Sequence, residues 1–377
     1  MNLIDFFKTL FAAFLGLIIS IFSVATPPPA NLTENISPPI ATTSIIGEKP
    51  ASTTTQKIIP DKKKPSTPKI SEPIPTQENL SRGSLILQDK IGINFNELNE
   101  KVRTVLVNII CTTKIGGLFK PISGSGVLID KRGVILTNAH IGQYFLLKNY
   151  MIPDFLTCVI RTGSPAYPRY TADLLYVSPR WINEHASDIT AQEPLGTGQY
   201  DYALLLITRA IAEEKLPDSF PSLAYNPTEN GYKKGTPVVL ASYPAGFLGG
   251  INIQQNLYIA SSVGTIDGIF TFKENTFDLF SVSGSIVAQK GASGGAIVGT
   301  DGQLIGVIAT ATDANNTSER SLQAITIGHI ERSLNEEMTM NLESFLSGDL
   351  NERLQSFQKT LAPALTEVLV KELNKVN

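Results

Sequence analysis

Across 377 residues the chain has only two cysteines, Cys111 and Cys158, and three histidines, His140, His185 and His329. That scarcity excludes a zinc finger or other Cys-rich metal framework, and it excludes a small disulfide-dense scaffold. No metal site and no cofactor is expected. Charge of one sign is lacking too: 31 Lys and Arg stand against 34 Asp and Glu, a formal net charge of −3. Such a balance gives no basic field for nucleic acid, which is not an expected partner, and no acidic tail. With 42% hydrophobic and 17% charged residues the chain is globular in composition, so disorder throughout is excluded. The few histidines leave few side chains able to act as a base at neutral pH. What is plentiful is turn chemistry, with 29 glycines and 23 prolines.

The N-terminal 26 residues hold the one long apolar run, Thr9 to Ala25, which carries no charge and follows Lys8. Its length is at the short limit for a bilayer span, and the preceding positive charge favours a cytoplasmic N-terminus. Two readings stay open: an uncleaved signal anchor (a single transmembrane helix), or a signal peptide cut after Ser23-Val24-Ala25. Either puts the remainder outside the cytoplasm, tethered to a membrane or secreted. Residues 27–83 are rich in Pro, Ser and Thr, as in Thr26-Pro27-Pro28-Pro29 and Ser37-Pro38-Pro39. They cannot bury enough apolar area to offset chain entropy, so a disordered, semi-extended spacer is expected. At the other end, residues 336–377 carry apolar residues at helical spacing with breaks at Gly348 and Pro363, which predicts a C-terminal helical appendage.

Between these lies an all-β pattern over residues 84–335. Val105, Val107, Ile109 and Cys111 alternate in one short run, and further runs lie at 125–130, 134–137, 158–161, 170–177, 202–208, 237–242, 257–265 and 276–283. Ala296 to Gly299, a Thr300-Asp301-Gly302 turn and Leu304 to Thr310 read as a hairpin. Many short strands with little helical pattern between them indicate barrels or sandwiches rather than a parallel sheet. The stretch suits two barrels, about 98–215 and 235–330, with Leu216 to Gly235 crossing between them.

Three motifs stand at strand boundaries in this order: Leu136-Thr137-Asn138-Ala139-His140, Tyr200-Asp201-Tyr202-Ala203-Leu204-Leu205, and Gly291-Ala292-Ser293-Gly294-Gly295. Each alone has a plain structural explanation. Together they carry what acyl transfer from a serine requires. A hydroxyl is a poor nucleophile unless a base takes its proton, and neutral imidazole suits that task. A carboxylate on the other ring nitrogen fixes the tautomer and steadies the imidazolium. Glycines around the serine let the backbone turn so that amide N–H groups converge on a developing oxyanion. Gly-x-Ser-x-Gly also fits a nucleophile elbow, with Asp301 or Asp313 and then His329 following Ser293. That alternative needs a helix directly after the serine, where this sequence has a tight turn and another strand.

The middle region resembles the trypsin-like serine proteases, and within them the Deg-type, high-temperature-requirement branch. The resemblance rests on Ser123-Gly124-Ser125-Gly126-Val127-Leu128-Ile129, the three motifs above, Gly235 to Val239, Tyr243-Pro244-Ala245-Gly246 and Ile305 to Ile308. It implies two six-stranded antiparallel barrels with a cleft between them. It also implies His140 as base, Asp201 as its orienting acid, Ser293 as nucleophile, and the amides of Gly291 and Ser293 as oxyanion hole. The expected activity is that of a serine endopeptidase on protein or peptide substrates. A catalytically silent barrel that binds extended peptides at the envelope is the alternative.

Departures from the resemblance are informative. Ala292 stands where digestive relatives have an aspartate that pairs with a newly cut N-terminus, so activation by that salt bridge is not expected. With few residues after Arg332, the C-terminal PDZ module usual in the Deg-type branch is not expected. Ser178 to Tyr200 is longer than the resemblance calls for, and it holds His185 and a second-choice acid, Asp188. Ala288, Ala309, Thr310 and Ala311 would line the substrate pocket, and no acidic residue precedes the serine, so small or medium apolar side chains are the expected preference. In the family the first and fourth strands of the first barrel are neighbours. Cys111 and Cys158 fit those strands, which leaves open a disulfide or two small buried hydrophobes.

Overall fold

The computed structural model describes residues 94–375, apart from 115–118, 120, 192–196, 213, 229–230, 247–249 and 312–319. The apolar N-terminal run and the Pro-rich spacer lie outside the described residues. Among those described, no helix is long and apolar enough to cross a membrane.

A helix not anticipated from the sequence, α1 (Phe95–Val105), opens the domain. Asn94 caps it by accepting the Glu97 N–H at 3.2 Å, and Phe95, Leu98, Val102 and Val105 form its buried stripe. The chain then enters β1 (Leu106–Thr113), β2 (Ile122–Asp130) and β3 (Val134–Thr137). A short helix α2 (Ala139–Gly142) and a 3-10 turn come next, then β4 (Leu156–Thr162) and β5 (Tyr167–Val177). Helix α3 (Pro179–His185) and β6 (Ala203–Ala210) complete the first unit. These six strands form a closed antiparallel barrel in the order β1-β2-β3-β6-β5-β4, filled by Val107, Ile109, Leu128, Ile135, Leu205 and their neighbours.

The expected crossing segment straps the barrel to the second sheet. Phe220 and Leu223 donate backbone N–H groups to Lys131 O and Leu128 O, and Asn226 donates to Leu304 O, each at 2.8–2.9 Å. Beyond it lie β7 (Pro237–Ser242), a short helix α4 (Gly250–Gln255), β8 (Ala260–Thr265), β9 (Gly268–Phe270) and β10 (Leu279–Ser283). The last strands are β11 (Ala296–Val298), β12 (Leu304–Ala311) and β13 (Ser321–Thr326). Here the expectation of a second six-stranded closed barrel needs correcting: the strands form an open seven-stranded sheet, β8-β7-β11-β12-β13-β10-β9. The reason is local. At Ile266 the chain still donates back to Thr236 O beside β7, whereas Asp267 N–H already bonds to Ser281 O on β10. One run of chain thus changes partner and counts as two strands, β8 and β9, so the covalent chain rather than a hydrogen-bonded ladder links the two edges.

Four helices end the chain: α5 (Ile327–Met338), α6 (Leu342–Ser347), α7 (Leu350–Thr360) and α8 (Ala362–Leu373). The helical part therefore begins before residue 336, directly off β13. The helices return to the first barrel, where Phe345 and Phe357 pack on Tyr176 with ring centroids 6.0 and 6.2 Å apart. Gln358 donates to Leu174 O at 3.0 Å. Each buried aromatic or leucine on these helices contributes about 1.5–3 kcal/mol.

Cys111 and Cys158 sit directly opposite each other on β1 and β4 and are joined by a disulfide. It closes a loop of 47 residues. Replacing both cysteines by alanine is expected to lower unfolding stability by about 2–4 kcal/mol. Urea midpoints of the double variant and of the oxidised parent check this; equal midpoints would contradict it.

Candidate active site

The end of β3 and the start of β6 are paired, Thr137 against Ala203, so the residues just beyond each strand come together. Beyond β3, Asn138 leads into α2 and its carbonyl accepts the Ile141 and Gly142 N–H groups. The first turn of any helix leaves backbone N–H groups without a partner inside the helix. Here the N–H of His140 is given to Asp201 Oδ1 at 2.9 Å. The other carboxylate oxygen, Oδ2, lies 2.8 Å from His140 Nδ1. A carboxylate oxygen can only accept in that contact, so Nδ1 carries a proton, and in the neutral ring the lone pair is then on Nε2. Asn138 adds a third tie through its Nδ2, which donates to Asp201 O at 3.0 Å. Asp201 is buried at 4% exposure, while the His140 side chain is 23% exposed. The pair is thus shielded on the acid side and open on the base side.

Ser293 comes from the other sheet, in the turn that enters β11. Ala292 N–H bonds to Gln289 O, Gly295 N–H to Ala292 O, and Gly294 N–H to Ile308 O. Lys290 O is occupied by the Ala245 N–H at 2.7 Å. In a trans peptide the next N–H points the opposite way, so the Gly291 amide faces away from that bond. Neither the Gly291 nor the Ser293 amide N–H has an acceptor among the described residues. The Ser293 hydroxyl donates to Ala309 O at 3.4 Å, a long bond, rather than to His140.

The two halves are clipped together beside this turn by Ser125 on β2. Its N–H donates to Ser293 O at 2.7 Å and its hydroxyl to Gly291 O at 2.9 Å. The same hydroxyl accepts the Tyr243 N–H, and Ser125 O accepts from Thr137 Oγ1 at 2.7 Å. A Cβ on Gly294 would lie 2.5 Å from Thr137 Oγ1. The serine turn therefore abuts the strand end that leads, three residues on, to His140.

Residues 124–307 match the family model for the trypsin-like peptidase domain. The chain carries a trypsin-like peptidase domain. The crystal structure of Deg5 aligns with 63% of this chain and 90% of its own length, at 16% identity and a TM-score of 0.42. A comparison with curated proteins returns no match.

Within this trypsin-like domain the remaining sequence candidates separate. Ala288 and Ala309 are buried, Thr310 is half-buried and Ala311 is exposed, so the three candidates on β12 run from the core outward. Thr310 Oγ1 contacts Gln323 Oε1 at 3.4 Å, a polar neighbour that the sequence did not single out. Ala292 is fully buried among Val287, Ala288 and Ile297. Asp188 bonds to His185 Nδ1 at 3.0 Å rather than to His140. His329 lies in the first turn of α5 with Asp278 on one ring nitrogen and the Tyr200 backbone on the other. Ser125 was part of a recognised Ser-Gly-Ser-Gly run, but nothing local marked it as the clip, because its partners lie 118 and more residues away.

Proposed function

We propose that the domain is a serine endopeptidase that cleaves protein or peptide substrates through an acyl-enzyme on Ser293. The observation that carries this reading is the His140–Asp201 pair, which follows the strand end that the Ser293 turn abuts, together with the Gly291 and Ser293 amides, which have no acceptors among the described residues. In the first step Ser293 Oγ bonds to the substrate carbonyl carbon as its proton passes to His140 Nε2. The Gly291 and Ser293 amides receive the oxyanion, and Asp201 steadies the imidazolium through Nδ1. The carbon–nitrogen bond then breaks and Nε2 returns the proton to the leaving amine. Water repeats the sequence on the ester and frees Ser293 with the acid product. Small or medium apolar side chains before the cut suit a pocket bounded by Ala309, Thr310 and Ala311. The apolar run at residues 9–25 supports a tethered domain working outside the cytoplasm.

One observation favours a second reading, a silent peptide-binding domain: the Ser293 hydroxyl is turned to Ala309 O. Catalytic hydrogen bonds are often long in ligand-free sites, which makes this the weaker of the two. A fluorophosphonate probe separates them. The peptidase reading expects the probe on Ser293, located by mass spectrometry of the modified peptide. A folded domain that remains unmodified at Ser293 would favour the silent one.

A further inference from the structure

Helix α5 carries His329, Ser333 and Glu337 at i, i+4 and i+8, one face of the helix. Each reaches the three residues centred on Asp201. His329 Nε2 accepts the Tyr200 N–H at 3.3 Å, Ser333 Oγ donates to Tyr202 Oη at 3.2 Å, and Tyr202 Oη donates to Glu337 Oε2 at 3.3 Å. Burial pushes the Tyr202 phenol well up, with the nearby Glu337 carboxylate adding to the shift, so it stays a donor. Tyr200 is held in the left-handed backbone region, φ 58°, which a bulky residue keeps only when its surroundings over-determine it. Its Oη receives Arg180 at 3.0 Å, and the same guanidinium lies 5.3 Å over the ring.

The His329 ring is itself set from its far side. Nδ1 lies 3.1 Å from Asp278 Oδ1, and both side chains are about 95% buried. Burial alone would raise the Asp278 carboxyl; donation by His329, Thr276 and the Phe272 N–H outweighs it and holds the group well below the usual carboxylate range. The carboxylate at Nδ1 calls for a proton there, and the Tyr200 N–H aimed at Nε2 calls for a lone pair there, so the two contacts together fit the neutral ring protonated at Nδ1.

We propose that His329 is a positioning residue that aims Asp201 by holding the Tyr200 amide. This rests on the peptidase reading of Asp201 and names the device that fixes it. All three histidines pair with a carboxylate through Nδ1: His140 with Asp201, His185 with Asp188, and His329 with Asp278. Of these, the His329 ring gives its Nε2 to the backbone next to the acid of the His140–Asp201 pair.

The test uses the full chain. In His329→Asn an amide N–H can still serve Asp278, but no acceptor reaches Tyr200. In His329→Gln the side-chain oxygen falls near the place of Nε2 and can accept the Tyr200 N–H. The asparagine variant is expected to lose about 10- to 100-fold in kcat with KM within about twofold, as for small misplacements of a reacting group, and the glutamine variant to recover to within about threefold. The downfield proton resonance of His140 Nδ1–H should move in the asparagine variant and stay in the glutamine variant. Unchanged kcat with an unmoved resonance in His329→Asn overturns the proposal; so does an equal loss in both variants, which a purely structural role would give. On the unmodified protein, nitrogen NMR should find His329 protonated at Nδ1 only. Protonation at Nε2 overturns the proposal even if neither variant folds. If the unmodified protein neither cleaves peptides nor takes the probe, the peptidase reading fails, while the two NMR readouts still judge the positioning.

Discussion

Asp201→Asn is expected to lower kcat about 10⁴-fold while leaving the domain folded. The two oxygens of Asp201 have different tasks. Oδ1 accepts the His140 backbone N–H and Oδ2 accepts the ring Nδ1–H. An asparagine amide has one acceptor and one donor, so it can satisfy only one of these contacts as they stand. Keeping Oδ1 on the backbone leaves an N–H group facing Nδ1. The ring then moves its proton to Nε2, and the nitrogen that should take the Ser293 proton becomes a donor. Turning the amide over leaves two N–H groups opposed at the backbone of α2, a costlier arrangement at a site only 4% exposed. The wrong tautomer is therefore the expected outcome. Because the Ser293 turn is held by Ser125, Ile308 and Ala245 rather than by Asp201, the oxyanion amides should persist. Single-turnover hydrolysis of an activated ester and steady-state peptide cleavage, run beside a thermal melt, measure the effect. Retention of a tenth or more of the parent activity would show that Asp201 does not set the tautomer of the base.

The parts of this site that were legible in the sequence are those whose chemistry is local. His140, Asp201 and Ser293 each stand at the boundary of an apolar run, where a polar side chain has no packing duty. Their order, with glycines around the serine, is what the proposed chemistry rests on. The first barrel was legible because its strands alternate, as Val107, Ile109 and Cys111 do. Period-two patterns do not record a change of partner, and so the split at Ile266 and Asp267 that gives β8 and β9, and leaves the second sheet open, was not visible. Helix α1 was hidden for a different reason. Its stripe of Phe95, Leu98, Val102 and Val105 runs directly into β1, and Val105 also fits the strand's alternation. His329 entered the sequence reading as the last member of a nucleophile-elbow alternative, whereas it lies in the first turn of α5. Its contact with Tyr200 spans 129 residues, and no local pattern predicts such a pairing. The same holds for the Ser125 clip, whose partners Gly291, Ser293 and Tyr243 lie more than a hundred residues further along the chain.

Gly294→Ala is expected to cost upwards of about 4 kcal/mol of stability and to suppress probe modification of Ser293. Two effects add at this position. The backbone lies at φ +81°, and an added Cβ would sit 2.0 Å from Ser125 O and 2.5 Å from Thr137 Oγ1. The left-handed conformation accounts for roughly 1–2 kcal/mol of the cost. The remainder comes from the clash, because Ser125 O is a backbone atom of β2, already fixed by the Thr137 hydroxyl, and has no side chain to swing away. Relief requires the serine turn to withdraw from β2. That movement breaks the 2.7 Å bond from Ser125 N–H to Ser293 O and takes Ser293, the proposed nucleophile, out of the seam. A domain of this size loses about 2–4 °C in Tm per kcal/mol, so the melt should fall by roughly 10 °C. Gly284→Ala is the matched control, since Gly284 has φ +70° but nothing within 4 Å of the added carbon. It isolates the conformational part, and its melt should fall by only a few degrees. If the two variants melt together and Ser293 is modified equally in both, the serine turn does not press against β2, and the seam that joins Ser293 to His140 is not closed in the way the Ser125 clip implies.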